Sequence, residues 1–190
     1  GVSPAVVKAM RNCAVIATEG VNGSDPHVVG GFFFFSRYFV TVSHILPAST
    51  VSIGGIEHRL EDLEPFVWNE LLVLKVPGRE HPDLRRYVDR PTSATTGHLI
   101  GCLAGGPVLM RVDRLRPTPF KSPGFEARDL VYMYGGPTFP GLCGAPLFTD
   151  DSSGPALLSV HFAGVTGYSG FGFPLAGLAE AILGHYATSQ

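Results

Sequence analysis

Pro140-Gly141-Leu142-Cys143-Gly144-Ala145-Pro146-Leu147-Phe148 sets one cysteine between two glycines, on a turn that leads into an apolar strand. Glycine permits positive φ and close approach of backbone to a ligand, so consecutive amides of such a turn can point at a developing oxyanion. A thiol at its apex is placed as a nucleophile, with the amides of Gly141, Leu142 and Cys143 as the candidate oxyanion donors. The same stretch is also compatible with a cysteine that only packs, since free Cys is among the most buried residue types. Nucleophilic catalysis further needs a base for the thiol proton and a group that orients the base.

The base is sought among seven histidines. His44 ends the apolar run Tyr38-Phe39-Val40-Thr41-Val42-Ser43 and precedes Ile45-Leu46-Pro47, where a side chain can leave the core and face a cleft. His161 lies inside Leu158-Ser159-Val160-His161-Phe162-Ala163-Gly164 and reads as the wall of a specificity pocket, with Gly164 leaving open backbone beside it. His27, His58, His81, His98 and His185 have polar or loop surroundings and read as surface residues. For the orienting acid, Glu70 stands at the mouth of Leu71-Leu72-Val73-Leu74-Lys75-Val76, whereas Glu61, Asp62 and Glu64 cluster in a loop and read as solvated. The chain order is therefore base, acid, nucleophile.

Composition sets the frame around these residues. The chain has 190 residues, 45% of them hydrophobic and 16% charged, enough apolar surface to fold as one domain or two small lobes sharing a core. Gly and Pro supply 40 of the 190 residues, about a fifth, against roughly 12% in average proteins, so elements are short and turns many. Apolar runs bounded by Gly, Pro, Asn or Asp predict eleven strands: 13–18, 28–35, 38–43, 51–53, 71–76, 98–103, 108–112, 130–134, 145–148, 156–162 and 170–173. Helical patterning is confined to 4–11, behind Ser3 and Pro4, and to 175–183, where Gly184 is expected to stop it. The prediction is an all-β protein built as a closed or doubled barrel, with short terminal helices. The Pro- and Arg-rich stretch from Pro77 reads as a connection, which divides the chain into lobes 1–76 and 98–190 joined by 77–97. The net charge of −2 argues against a dedicated nucleic-acid binder, no apolar run is long enough for a membrane span, and three cysteines with no framework spacing point to a reducing compartment.

The turn G-x-C-G-x-P resembles the nucleophile turn of chymotrypsin-like proteases, with Cys in place of the usual Ser. Over nearly its whole length the chain resembles the picornaviral 3C cysteine proteases, which are chymotrypsin-like double β-barrels. The stretch Ala5-Val6-Val7-Lys8-Ala9-Met10-Arg11-Asn12 is similar to the family's amino-terminal helix, His44 falls at its base, and Glu70-Leu71-Leu72-Val73-Leu74 at its acid segment. Thr138 and His161, within V-H-x-A-G, match the two side chains that read a P1 glutamine in this family. The resemblance implies cleavage of a viral polyprotein, and of host proteins, after Gln and before a small residue, in the host cytoplasm and without metal or organic cofactor. His44, Glu70 and Cys143 would carry the catalysis, with Thr138, His161 and Gly164 forming the S1 pocket.

Two departures mark the chain. The family's interdomain RNA-binding stretch often reads K-F-R-D-I-R, and here His81-Pro82-Asp83-Leu84-Arg85-Arg86 lacks the leading basic residue, which leaves Arg79, Arg85 and Arg86 as the candidate RNA contacts. The spacing from Cys143 to His161 is longer than in enteroviral members, with Asp150-Asp151-Ser152-Ser153-Gly154 as an expected hairpin insertion, so a different genus is implied. Two other readings stay open: an RNA-binding module without catalysis, and a capsid-type β-sandwich, which would leave the order of His44, Glu70 and Cys143 unexplained. If the chain cuts after Gln, Gly1 and Gln190 are expected to be its own cleavage products; trimming for expression would explain both ends equally well.

Overall fold

The computed structural model describes residues 3–19, 26–88, 90–103, 105–120, 130–151 and 154–188. Gly1, Gln190 and the pair Ser152-Ser153 lie outside them.

Helix α1 (Pro4–Asn12) starts where the Ser3 hydroxyl accepts the Val6 N–H at 3.3 Å and Pro4 pre-sets the first turn. It ends because Cys13 is already extended, and the chain runs straight into β1 (Cys13–Thr18). Then come β2 (His27–Phe35), β3 (Tyr38–Val42), β4 (Thr50–Ile53), β5 (Ile56–Arg59), β6 (Phe66–Trp68) and β7 (Leu71–Lys75). They form a seven-stranded antiparallel sheet in the order β5-β4-β1-β2-β3-β7-β6. A short 3-10 turn, Leu60–Leu63, links the two edge strands. The second sheet is a closed barrel of β8 (Gly97–Leu103), β9 (Gly106–Pro119), β10 (Leu130–Gly135), β11 (Pro146–Asp151), β12 (Gly154–Val165) and β13 (Ser169–Pro174). The all-β, two-lobed expectation holds.

The differences have physical reasons. Strands β5 and β6 were not expected, because Ile56-Glu57-His58-Arg59 is an exposed, mostly polar edge and Phe66-Val67-Trp68 is too short to carry a pattern. Strand β9 spans 14 residues where five were expected, because its mixed charged and Pro-containing sequence is held by ladders to β8 and β10 rather than by its own burial. Helix α2 (Leu178–Thr188) starts later than expected, since Gly177 sits at φ +89°, and it runs through Gly184 instead of stopping there. What carries it on is Tyr186, 4% exposed, whose O–H donates to the Glu64 carbonyl at 2.8 Å. His185 stacks on Phe66 at 4.1 Å, so the last helix returns to the first sheet and His185 is not a bare surface residue.

One hydrophobic cluster runs through both halves, from Phe32, Phe34, Phe39 and Leu71–Leu74 to Ile100, Phe148, Val160 and Phe173. The stretch after Val76 is tied to the first sheet by Leu84 N–H to the Phe34 carbonyl at 2.9 Å, and to the second by Thr92 to Asp151 at 2.8 Å. A cleft between two sheets braced in this way is held by core on both sides.

Candidate active site

The nucleophile turn is stapled to the first sheet. Gly30 N–H donates to the Cys143 carbonyl at 2.8 Å, and the Thr41 hydroxyl donates to the Gly30 carbonyl at 2.8 Å. Gly144, at φ +91°, fits against that carbonyl so closely that a Cβ would lie 1.8 Å from Gly30 O. On its other side Gly144 N–H donates to the His161 carbonyl at 2.8 Å. This explains the glycine after the cysteine: the backbone of one lobe rests on the backbone of the other, with no room for a side chain.

His44 occupies a 3-10 turn, Ser43–Ile45, that follows β3 directly. Ser43 N–H donates to the Glu70 carbonyl at 3.0 Å, which sets His44 beside the start of β7 and hence beside Glu70. Partial burial and the neighbouring His27 hold the His44 imidazole below its ordinary range, while the Glu70 carboxylate opposes both. Burial pushes the Cys143 thiol up to about 11. Near neutral pH both groups therefore rest uncharged, His44 as imidazole and Cys143 as thiol. The structure differs from sequence expectation at His27, whose ring lies 6.2 Å from that of His44 in an edge-on contact and so belongs to the site. His81 likewise is only half exposed, with its ring stacked on Phe33 at 3.6 Å.

Thr138, Cys143, His161 and Gly164 line one pocket of about 200 Å³, with Phe139 among its other walls. His161 is 2% exposed, and its Nδ1 lies 2.6 Å from the Tyr134 hydroxyl. Burial drives His161 down to about 4 and raises Tyr134, so both are neutral and one proton lies between the Tyr134 hydroxyl and Nδ1; with Tyr134 as its donor, the ring proton sits on Nε2. Thr138 spends its hydroxyl proton on the Ser169 carbonyl at 2.6 Å, with the Val165 carbonyl at 3.3 Å. Toward a ligand it can only accept. The pocket thus presents a neutral donor and a neutral acceptor. Tyr134 and Thr41 carried no sequence signal, because each acts on a partner that is remote in the chain.

Of the three oxyanion candidates, Leu142 N–H donates to the Phe139 carbonyl at 3.0 Å and Cys143 N–H to the Pro140 carbonyl at 3.3 Å, within the 3-10 turn Pro140–Leu142. A substrate oxyanion would have to compete with these local bonds. The candidate RNA residues are dispersed: Arg85 pairs with Asp83 at 2.7 Å and lies 4.0 Å above the Phe35 ring, Arg86 donates to the Tyr87 hydroxyl at 2.6 Å, and Arg79 lines a separate cavity. No group of three or more His, Cys, Asp or Glu suited to a metal occurs among the described residues. No described helix is long and apolar enough to cross a membrane.

No protein-family model matches the chain. It is 31% identical to the genome polyprotein of Human klassevirus 1 over 198 aligned residues that take in all of this chain, and it spans 8% of that polyprotein. Among solved structures, the HRV-C 3C protein with rupintrivir superposes with a TM-score of 0.66 at 21% identity, covering 86% of this chain and 91% of that one. A Cys-to-Ala mutant of the Tobacco Etch Virus protease superposes with a TM-score of 0.70 at 11% identity, covering 96% and 81%. The structural likenesses give the fold, a chymotrypsin-like pair of β-lobes, and the sequence likeness aligns the whole chain with a small part of a viral genome polyprotein.

Proposed function

We propose that the chain is a cysteine endopeptidase that processes the viral polyprotein, and host proteins, by cutting after Gln and before a small residue. His44 takes the Cys143 proton as the thiolate attacks the scissile carbonyl, the turn 141–143 stabilises the oxyanion, and His44 then protonates the leaving amine. Water, activated by the same His44, hydrolyses the thioester. Glu70 holds the base in one orientation. Because Leu142 and Cys143 now donate within the 3-10 turn, productive binding includes a local turn of the backbone that frees them.

The observation that carries the specificity is the Tyr134–His161–Thr138 arrangement. A carboxamide presents a carbonyl oxygen to His161 Nε2–H and an amide N–H to the Thr138 oxygen, whereas a carboxylate offers no proton to Thr138 and meets no positive charge. Sites built for such bonds discriminate by up to about 10⁴.

The test is cleavage of peptides that differ only at P1, Gln against Glu, by the native protein and by Cys143→Ala. Cleavage of the Gln peptide alone, abolished in a folded Cys143→Ala protein, is expected; equal cleavage of both, or turnover by Cys143→Ala, would refute the reading. The double mutant Cys143→Ala, His44→Ala should be no slower than either single mutant, since the two act as one unit.

A secondary RNA contact through Arg79, Arg85 and Arg86 is part of the proposal. It is supported by the gathering of Lys8, Arg86 and Arg90 over the Tyr87 ring at 5.9, 4.9 and 5.4 Å. Such binding would weaken steeply with salt, and its absence at low salt for any RNA would remove it. The proposed compartment, the reducing host cytoplasm, rests on the three free cysteines.

A further inference from the structure

On the first lobe lies a cavity of about 670 Å³, which shares no lining residue with the Cys143 pocket. It is walled by the junction of α1 with β1, by the β4–β5 hairpin and by the chain leaving β7. The size is within the range of about 300–1,000 Å³ typical of small-molecule sites. Its floor is aliphatic and aromatic, from Ile53, Ile56, Val76, Pro77 and Phe33, and Ile56 keeps 66% of its surface exposed at the rim.

The polar side of the cavity has one sign. Arg11, Arg79, His58 and His81 contribute to the lining, and no carboxylate does among the described residues. Neither Arg11 nor Arg79 takes part in an ion pair or side-chain hydrogen bond among the described residues. Two further lining atoms are buried without a partner, Asn12 Oδ1 and His81 Nδ1. Asn12 is 1% exposed, and its amide is locked by Nδ2 donating to the Phe33 and Pro82 carbonyls at 2.9 and 2.8 Å. His81 already has its aromatic partner in Phe33, so the remaining free wall is mainly aliphatic.

We infer that this cavity binds a small amphiphilic anion, an aliphatic chain ending in a carboxylate or phosphate, with the head held by Arg11 and Arg79 and the chain laid on Ile53, Ile56 and Val76. Two cations lining one apolar cavity, with no carboxylate among the lining residues, fit an anionic head, and the floor supplies the apolar burial that a bare phosphate could not use.

The experiment is calorimetric titration of the native protein with dodecanoate, dodecyl phosphate and neutral dodecanol, each below its aggregation or solubility limit. One-to-one binding of at least one anion, tenfold or more tighter than the alcohol, is expected; which anion binds tells a carboxylate ligand from a phosphate one. The double variant Arg11→Gln, Arg79→Gln, whose exposed side chains leave folding intact by thermal unfolding, should lose that tenfold preference, and Ile56→Asp should weaken all three probes. Arg116→Gln, remote from the cavity, should change nothing. Equal binding of anions and alcohol, no binding at all, or anion binding untouched by the double arginine variant would overturn the inference. So would a short RNA that binds through Arg11 and Arg79 while neither amphiphile does. The readout involves no turnover, so it stands or falls apart from the peptidase reading.

Discussion

Gly170→Ala isolates the geometry proposed to read the P1 side chain. Gly170 lies on β13 with an ordinary φ, so alanine strains no backbone there, yet its Cβ would sit 2.6 and 2.9 Å from His161 Cε1 and Nδ1 and 2.5 Å from Tyr134 Cε2. Ordinary contact begins near 3.4 Å, so the rings must retreat by about 1 Å from a site walled by β10, β12 and β13. A hydrogen bond of 2.6 Å does not survive that displacement, since 3.6 Å is no longer a bond. Overpacking costs about 1–3 kcal/mol, and the orphaned buried hydroxyl a similar amount. At 1.4 kcal/mol per tenfold, loss of the His161 orientation should cut the Gln-to-Glu ratio in kcat/KM by about 10- to 100-fold. The assay is that ratio on paired peptides, with thermal unfolding alongside. Gly184→Ala, with no atom near its Cβ, serves as control and should raise stability by about 0.5–1 kcal/mol with the ratio unchanged. A folded Gly170→Ala protein with native selectivity would refute the reasoning, because the steric clash would then have been absorbed without moving His161.

Gly144→Ala meets the Gly30 carbonyl at 1.8 Å and an unfavourable φ, so activity should be lost with a fall in stability of more than 3 kcal/mol; a folded, active variant would show that the two lobes are not in backbone contact there. The acid limb of kcat/KM reports the free-enzyme base, which must be neutral, so His44, held low by burial and by His27, should stay active below pH 6.5. His27→Phe keeps the ring contact and removes the charge, moving the limb to higher pH, whereas Glu70→Gln should move it lower; limbs that do not move would exclude electrostatic coupling in the site. His161 has a folded pKa of about 4, below the 6.5 of an unfolded histidine, so its contribution is fully present above pH 6.5 and is lost as pH falls toward 4. At 1.36 kcal/mol per unit this is roughly 3 kcal/mol, and denaturant midpoints for the native protein should fall across that window more than those of His161→Leu. Parallel curves would contradict burial of a neutral His161.

Much was legible in the chain because it is local. Strands such as Cys13–Thr18 declare themselves by apolar runs between turn residues, and the Gly141-to-Pro146 turn by glycines whose φ and clearance no other residue meets. His44 and Glu70 could be named as candidates from strand ends, Cys143 from its glycine turn and His161 from its place inside a strand, whereas Thr138 came only from the family resemblance. The edge strand Ile56–Arg59, the length of β9 and the run of α2 past Gly184 were not legible, since ladders and the anchoring of Tyr186 decide them and local propensity does not.

Sequence by itself thus determined the all-β class and named candidates, in chain order, for base, acid, pocket and nucleophile. Only the tertiary structure decided their chemical states. Tyr134 and His161 stand 27 residues apart and become a 2.6 Å pair through β10, β12 and β13, which couples the His161 tautomer to the Tyr134 hydroxyl. Thr138 becomes an acceptor because the Ser169 carbonyl, 31 residues away, takes its proton. His27 becomes a neighbour of His44 by the folding of one sheet, and Arg11 and Arg79 come to line one cavity. The physical reason is that a residue type specifies which protons and lone pairs exist, while burial and partners brought from distant strands specify which of them remain free.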